Sequence, residues 1–207
     1  MDPVESLGLH AAILAAGPST RFGSPKQLVR LEGGLVLHRA VANAAGVAGH
    51  SVTVVLGAHA REVAPALRLS SASVVLNRDW AEGLASTIRA AVRGTPPRCE
   101  ALLLLLADQA AVSGEDLRRL FAVWRRHPVL IAAALHGGAA GLPAIFPRWA
   151  FTDLLSLRGE RDARNVLRRN IDRVVRVPMS NAGIDLDTPD DLLSIDVAQA
   201  RGTADPS

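Results

Sequence analysis

Short runs of nearly continuous apolar residues alternate along this chain with segments in which apolar residues recur at helical spacing. The apolar runs predict buried strands, because a strand covered on both faces lacks a polar alternation. The predicted strands are 9–15, 51–56, 73–76, 101–107, 129–134, 143–146 and 174–177. The predicted helices are 35–45, 60–69, 84–93, 113–126, 149–157 and 162–170. The alternation predicts an α/β fold whose mostly parallel sheet is covered by helices on both faces.

The predicted elements follow one another without a long linker or an internal repeat. A chain of 207 residues is long enough for one such domain, which buries roughly 70% of its unfolded surface. We therefore predict a single domain over residues 9–197. Residues 1–8 and 198–207 are predicted to be flexible ends.

Composition excludes a disordered chain, since 49% of the residues are hydrophobic and 21% are charged. The net charge is only +3, and nearly all of the 23 basic residues are arginines, which keep their charge to very high pH. The high isoelectric point therefore does not by itself indicate nucleic acid. A local arginine cluster within residues 158–176 is best explained as a solvated helix face. An RNA-binding patch and a pocket for an anionic small molecule are the alternatives.

The sequence favours a cytoplasmic protein that binds neither a membrane nor nucleic acid. The longest strongly apolar run, 101–107, is far shorter than the ~18 residues that span a membrane. The first residues, MDPVES, carry acids where a secretory signal carries bases. The single cysteine, Cys99, has no partner for an intrachain disulfide and is expected in a surface loop.

The loop after the first predicted strand contains small residues followed by two cations, Arg21 and Lys26. It matches neither a Walker loop nor the GxGxxG fingerprint. Small residues let backbone N–H groups approach phosphate oxygens, and Lys26 is the only lysine in a chain that otherwise uses arginine. A compact point charge of this kind suits phosphate binding. The alternative is a solvated turn with an incidental lysine.

Carboxylates follow two further segments. Asp108 ends the apolar run 101–107, while Asp185 and Asp187 alternate on an extended segment near the carboxyl terminus. Helix capping is a weak explanation for Asp108, because Ser113 is better placed to cap the next helix. Capping also leaves Asp185 and Asp187 unexplained. Carboxylates together with phosphates are the usual ligands of Mg²⁺.

Five blocks of sequence, in order, carry a family resemblance. They are LAAGPSTRFGSPKQL, NRDWAEGLAS, LLADQ, GAAGLPAIF and IDLDTPDDL. Over residues 11–193 the chain resembles the nucleotidyltransferases of the molybdenum cofactor, most closely the molybdenum cofactor cytidylyltransferase family. The resemblance implies a Rossmann-like, three-layer α/β/α domain that binds a magnesium–nucleoside triphosphate at the carboxyl edge of its sheet.

The resemblance also implies roles for individual residues. The base and sugar would contact Leu14, Ala15, Ala16 and Gly17. The block 77–86 would line the nucleotide pocket with Asn77, Gly83 and Ser86. Arg21 and Lys26 would hold the triphosphate, while Asp108 and Asp187 would hold Mg²⁺, which makes Arg21, Lys26 and Asp108 the catalytic residues. For Asn77 a purely structural turn is an equal alternative, and Trp80 is expected to serve packing.

The resemblance implies CTP as the nucleotide and the terminal phosphate of molybdenum cofactor as the acceptor. Relatives that use guanosine usually carry Gly where this chain has Ala16, and a methyl group there narrows the base pocket. On the acceptor side the family block Gly-Asp-x-Gly-Ala-Arg ends here in Arg164. The resemblance makes Arg164 the candidate residue that binds the acceptor phosphate. Glu160 and Asp162 depart from that block, and Ala110 replaces the family's Pro after LADQ.

Three hypotheses remain open from the sequence. The first is the cytidylyltransferase, with a molybdoenzyme or its chaperone as a candidate partner. The second is a nucleotidyltransferase of the same superfamily that uses GTP or another phosphorylated acceptor. The third is a non-catalytic carrier of molybdenum cofactor. An oxidoreductase is disfavoured, because no dinucleotide fingerprint follows the first strand.

Overall fold

One seven-stranded sheet forms the centre of the computed structural model, which describes residues 8–31, 34–68, 70–186, 188 and 191. Its strands are β1 Leu9–Ala15, β2 Val52–Leu56, β3 Ser73–Leu76, β4 Ala101–Leu106, β5 Ile131–His136, β6 Ala139–Pro147 and β7 Val174–Pro178. The α-helices of the described residues are α1 Val36–Ala48, α2 Ala60–Val63, α3 Leu84–Gly94, α4 Gly114–Arg126, α5 Phe151–Leu155 and α6 Ala163–Arg169. A separate short ribbon pairs Arg30–Leu31 with Gly34–Leu35.

The strand order is β3-β2-β1-β4-β6-β5-β7. The pairs β1–β2, β1–β4, β2–β3 and β5–β7 are parallel. Strand β6 is antiparallel to both of its neighbours, so β5 and β7 again point in the direction of β1. The mostly parallel sheet is thus confirmed. Six of the seven strands end at the same edge, where ligands of open α/β sheets bind.

The core lies in two layers, one on each face of the sheet. Alternate residues of β1 divide between them: Ile13 packs with α1 and α4, whereas Leu14 packs with α3, α5 and α6. This division follows from the two-residue period of a strand, since every second side chain faces the same side. The three-layer α/β/α architecture is confirmed.

Several element boundaries differ from the sequence predictions. Strand β5 begins at Ile131 rather than 129, and Val129 is 66% exposed. The predicted helix 60–69 divides into α2 and a 3₁₀ turn, Ala64–Leu67, because Pro65 has no N–H to donate; residue 69 lies outside the described residues. The predicted helix 149–157 similarly begins as a 3₁₀ turn, and its α-helical part is α5.

Local signals near α4 and the chain ends have different outcomes. Ser113 is confirmed as the N-cap of α4: its hydroxyl accepts from the Asp116 N–H at 3.2 Å. Cys99 is buried, at 7% exposure, so the expectation of a surface position is wrong.

The predicted flexible ends, apart from Gly8, lie outside the described residues. Among the helices of those residues, none is long and apolar enough to cross a membrane.

Candidate functional site

A cleft of about 370 Å³ opens at the carboxyl edge of the sheet, where β1 and β4 end beside each other. One wall comes from the end of β1 and the loop after it, and a second from the end of β4. The third comes from the turn before α3, together with Glu160. The lining residues predicted from the sequence are Leu14, Ala15, Ala16, Gly17, Lys26, Gly83 and Asp108. The structure therefore brings together residues that lie 94 positions apart in the chain.

The backbone of the loop after β1 is held from two directions. The Ala16 carbonyl accepts from the Ala58 N–H at 3.1 Å, and the buried Gln27 amide donates to the Ala15 carbonyl at 3.0 Å. Gly57, just after β2, allows a close approach: a Cβ there would lie 2.6 Å from both the Ala16 oxygen and the Trp80 Cβ. Sequence reasoning missed both Gln27 and Gly57. The turn residue that follows a parallel strand is the signal that would have identified Gly57.

Ala16 is nearly inaccessible, with 4% exposure, although it lines the cleft. Its methyl group lies against Gly57, since a Cβ on Gly57 would be 2.7 Å from the Ala16 Cβ. The methyl group thus contributes to the packing of the loop as well as to the wall of the cleft.

Lys26 and Asp108 form an ion pair between the loop after β1 and the end of β4. Nζ of Lys26 donates to Oδ2 of Asp108, and each side chain is 17% exposed. The other carboxylate oxygen, Oδ1, is buried and has no hydrogen-bond partner. A buried carboxylate oxygen without a partner is costly unless a ligand or ion satisfies it. Asp108 therefore fits a position that binds a cation.

Of the two candidate metal ligands, Asp108 and Asp187, only Asp108 lies among the described residues. The Leu186 N–H donates to the Asp108 carbonyl at 2.9 Å, which places the segment preceding Asp187 beside Asp108. Asp187 itself lies outside the described residues, and Asp185 is exposed. Within the described ranges no group of three or more His, Cys, Asp or Glu residues is arranged to hold a metal ion.

Asn77 and Ser86 support the third wall from behind. The buried Asn77 amide donates to the Ser86 and Thr87 hydroxyls at 2.8 and 3.1 Å, and Ser86 donates to the Gly83 carbonyl at 2.8 Å. Gly83 and Thr87 line the cleft, whereas Asn77 and Ser86 are not among its lining residues. Trp80 also lines the cleft and is partly exposed, so its position suits contact with a ligand as well as packing.

Gln109 is a buried residue whose role the sequence did not reveal. Its side-chain amide donates to the carbonyls of Leu142 and Ala182, at 2.8 and 2.9 Å. Its Oε1 accepts from the Leu106 N–H at 3.3 Å. Gln109 thereby connects the end of β4 to β6 and to the segment before Asp185, and it fixes the backbone that carries Asp108.

Two predicted cationic residues lie outside the cleft lining. Arg21 is exposed on the loop after β1, and Arg164 is exposed in the first turn of α6. Arg164 lies next to His136, because a Cβ on Gly141 would be 2.7 Å from His136 Nε2 and 3.4 Å from Arg164 Nε. Burial and the Arg164 charge lower the pKa of His136. The His136 imidazole is therefore neutral at pH 7, and Arg164 carries the positive charge of this pair.

An ion pair reinforces the wall that carries Gly83. Arg89 donates through both terminal nitrogens to the Glu82 carboxylate, at 3.0 and 2.5 Å. Hydrogen bonds from Arg89 and from the Gly159 N–H lower the pKa of Glu82, so this carboxyl stays ionised at neutral pH. The pair was not anticipated from the sequence. Its signal is the spacing of seven residues, which brings an acid just before α3 against an arginine on that helix.

A cleft at the switch between β1 and β4, walled by small residues and a lysine–carboxylate pair, defines the chain as an α/β nucleotidyltransferase. The family comparison agrees: the MobA-like NTP transferase domain matches residues 11–174, and the chain belongs to that family. It is an enzyme of the nucleotidyltransferase class, and the family resemblance seen in the sequence is confirmed.

Individual relatives refine this placement. The chain is 24% identical over 187 residues to the molybdenum cofactor cytidylyltransferase of Escherichia coli (strain K12), covering 90% of this chain and 94% of that protein. It is 30% identical over 122 residues to nicotine blue oxidoreductase of Paenarthrobacter nicotinovorans, covering 58% of this chain and 59% of that protein.

Among solved structures, Rv0371c of Mycobacterium tuberculosis H37Rv has 27% identity and a TM-score of 0.77. The match covers 90% of this chain and 96% of that one. A second structure of Rv0371c is a complex with manganese, and it matches with a TM-score of 0.74 and 27% identity over 90% of this chain and 97% of that one.

Proposed function

We propose that this protein transfers CMP from CTP to the terminal phosphate of molybdenum cofactor and releases pyrophosphate. The observation that carries the proposal is the Lys26–Asp108 pair at the carboxyl edge of the sheet, with a buried carboxylate oxygen that has no partner. The similarity to the E. coli cytidylyltransferase supports both the donor and the acceptor.

The reaction needs no protein nucleophile. An oxygen of the acceptor phosphate forms a bond to the α-phosphorus of CTP, and the bond from that phosphorus to the β-phosphate oxygen breaks. Because a phosphate monoester has a second pKa near 6, the attacking oxygen is already ionised at neutral pH and needs no general base. The protein must bring two anions into line and stabilise the charge that develops on pyrophosphate.

The chain's own cations supply part of that stabilisation. Lys26 lines the cleft and is positioned by Asp108, so its ammonium group is the first candidate to contact the triphosphate. Arg21 is an exposed cation on the same loop and would bind the outer phosphates. Leu14, Ala15, Ala16 and Gly17 form the wall against which base and sugar would lie, with Asn77 and Ser86 holding the opposite turn.

Asp108 and Asp187 would hold Mg²⁺. The free Oδ1 of Asp108 fits a divalent cation, and the manganese complex of Rv0371c supports metal use in a similar protein. When bound, a divalent cation neutralises phosphate charge and polarises the bond to the leaving group.

Arg164 is proposed to bind the acceptor phosphate. It is exposed at the same edge of the sheet, because β5 ends there at His136 and Arg164 lies beside that residue. In the described part of the chain no carboxylate pairs with its guanidinium. An arginine of this kind offers two parallel donors to a phosphate. A molybdoenzyme or its chaperone would then receive the product, and we expect this to occur in the cytoplasm.

Pyrophosphate release with molybdenum cofactor, Mg²⁺ and each of the four nucleoside triphosphates tests the proposal. Release with CTP alone is the expected result. Release with GTP instead would keep the chemistry and contradict the assignment of CTP. Nucleotide binding without pyrophosphate release would point to another acceptor, which is the alternative raised by Glu160 and Asp162.

Replacing Lys26 separates catalysis from folding. Lys26→Ala should lower kcat about a hundredfold or more, by analogy with the loss of one preorganised electrostatic donor. The variant also leaves Asp108 without its ion-pair partner, so the midpoint of thermal unfolding should fall, but the protein should remain folded and lose far more activity than stability. Arg61→Ala, at an exposed position on α2, is the matched control for loss of one cation. Near-normal turnover by Lys26→Ala would sink the assignment. A non-catalytic carrier predicts instead that neither the wild type nor the variant releases pyrophosphate.

Oxidoreductase activity is a second candidate, favoured by the similarity to nicotine blue oxidoreductase over 122 residues. The loop after β1 lacks a dinucleotide fingerprint, and this argues for the transferase instead. Oxidation of a reduced nicotinamide cofactor with nicotine blue as the electron acceptor, measured in the absence of any nucleoside triphosphate, distinguishes the two activities.

A further inference from the structure

Glu160 places a carboxylate in the wall of the nucleotide cleft that also contains Gly83. It contacts the turn that precedes α3, since a Cβ on Gly83 would lie 2.7 Å from Glu160 Oε1. Gly83 has a φ of +108°, a conformation that favours glycine, so the turn can come this close only without a side chain at position 83. The Glu160 carboxylate and the Gly83 backbone therefore form one continuous surface.

The segment that carries Glu160 is fixed in place by the ion pair beneath it. The Gly159 N–H donates to Glu82 at 3.2 Å, and the Gly159 carbonyl accepts from the Ala85 N–H at 3.2 Å. Arg89, which is only 7% exposed, joins Glu82 to the Leu157 carbonyl through a hydrogen bond of 2.8 Å. Both sides of the turn before Glu160 are therefore attached to the helix that borders the nucleotide cleft.

A carboxylate in this position cannot serve the phosphates. A triphosphate is strongly anionic, and a like charge close to it raises the free energy of binding. What Glu160 can accept is a hydrogen bond from a neutral donor. The two adjacent hydroxyl groups of a ribose match the two oxygens of a carboxylate, and acidic side chains bind ribose hydroxyls in other α/β nucleotide sites.

We propose that Glu160 binds the ribose hydroxyl groups of the nucleoside triphosphate, and that the Glu82–Arg89 pair is a positioning element that holds it there. This rests on the proposed nucleotide-binding function of the cleft. It assigns a substrate contact to one of the two residues that depart from the family block. The added methylene of Glu relative to Asp lengthens the side chain by which the carboxylate reaches Gly83.

Calorimetric titration of the full chain with CTP and with 2′,3′-dideoxy-CTP tests the contact directly. Glu160→Ala should weaken CTP binding about tenfold or more, the usual effect of losing hydrogen bonds to a charged group. The same variant should bind the dideoxy nucleotide as the wild type does. Glu115→Ala, on the exposed face of α4, controls for loss of one negative charge and should bind both nucleotides normally.

Arg89→Lys tests the positioning element while preserving the charge. It loses the paired hydrogen bonds to Glu82, so Glu160 should be held less well, and CTP binding should weaken in the same direction as in Glu160→Ala. In the double variant, Arg89→Lys should add nothing to the effect of Glu160→Ala. A separate structural defect would instead give additive losses, and it would weaken binding of the dideoxy nucleotide too.

Each other outcome overturns the proposal. Equal losses for CTP and its dideoxy analogue would mean that Glu160 does not act through the ribose. A changed preference between CTP and UTP would assign it to the base, and an effect confined to the KM of the acceptor would assign it to the acceptor. If CTP binds but no pyrophosphate is released, the proposed reaction is contradicted. The calorimetric comparison of CTP with its dideoxy analogue still tests the ribose contact in that case. Absence of any nucleotide binding overturns both proposals.

Discussion

Acid should destabilise this protein over the pH range in which His10 is forced to accept a proton. His10 lies in β1 with 3% exposure, and burial lowers its pKa from 6.5 to about 4. Nδ1 shares a hydrogen bond of 2.8 Å with the Ser51 hydroxyl, whereas Nε2 is buried without a partner. The folded protein therefore resists protonation at a site that the unfolded chain protonates readily.

The direction and size of the effect follow from linkage. Above pH 6.5 His10 is neutral in both states, so its burial carries no penalty for charge. As the pH falls from 6.5 towards 4, the unfolded chain binds a proton that the folded protein excludes, and the free energy of unfolding decreases. At about 1.4 kcal/mol per pH unit, the loss reaches roughly 3 kcal/mol near pH 4. A domain of ordinary stability has only about 5–15 kcal/mol in total.

Urea unfolding at a series of pH values between 7 and 4 measures this loss. His10→Leu should flatten the slope of unfolding free energy against pH, whatever its effect on stability at pH 7. The difference between the wild-type and His10→Leu slopes gives the contribution of His10 alone. It leaves out the contribution of His136, which acts in the same direction, and that of His59. The pKa of His59 is raised mainly by its hydrogen bond to the Pro18 carbonyl, so its contribution is present below pH 6.5 and is lost as the pH rises.

His50→Gln, at an exposed position, is the control and should keep the wild-type slope. A His10→Leu slope equal to that of the wild type would refute the reasoning. The variant should also retain activity at pH 7, because His10 is four residues before Leu14, the first cleft-lining residue of β1, or ~13 Å along the strand.

Three further changes have defined consequences. Gly57→Ala should destabilise the protein by about 1–3 kcal/mol in urea unfolding and weaken nucleotide binding, because its Cβ would lie 2.6 Å from the Ala16 oxygen; normal values of both would contradict the packing argument. Gln109→Ala should lower the free energy of unfolding by about 2 kcal/mol in the same measurement, since the carbonyls of Leu142 and Ala182 lose their donor. Asp108→Asn should preserve the fold but weaken Mn²⁺ binding, followed by electron paramagnetic resonance; unchanged Mn²⁺ affinity would remove Asp108 from the metal site.

Much of this protein could be predicted from residues close together in the chain. The apolar runs identified all seven strands of the main sheet. For the central strands β1, β2 and β4 the reason is burial on both faces, which requires continuous apolar sequence, whereas the edge strands β3 and β7 are exposed or only partly buried along most of their length. Strand β1 was predicted with its observed bounds, and Ser113 was correctly placed as a helix cap. The cleft-lining loop with Lys26, and the carboxylate of Asp108, could also be predicted, because both follow strands directly.

Other features depend on residues that meet only in the folded chain. The antiparallel direction of β6 is set by its pairing with β4 and β5, and its length of nine residues exceeds the apolar run that revealed it. The sequence predicted a packing role for Trp80. In the structure Trp80 lines the cleft, and it lies there because Gly57 has no side chain to block its close approach. The burial of Cys99 likewise depends on tertiary packing rather than on the loop sequence before it.

The sequence by itself determined the fold class, the edge of the sheet at which the candidate cleft lies and the family to which the chain belongs. These depend on local periodicity and on motifs of a few residues. Only the tertiary structure paired Lys26 with Asp108 and brought Glu160 against Gly83. Each of those contacts depends on the distance between side chains from separate elements. That distance is set by how the helices pack on the sheet, which no local pattern encodes.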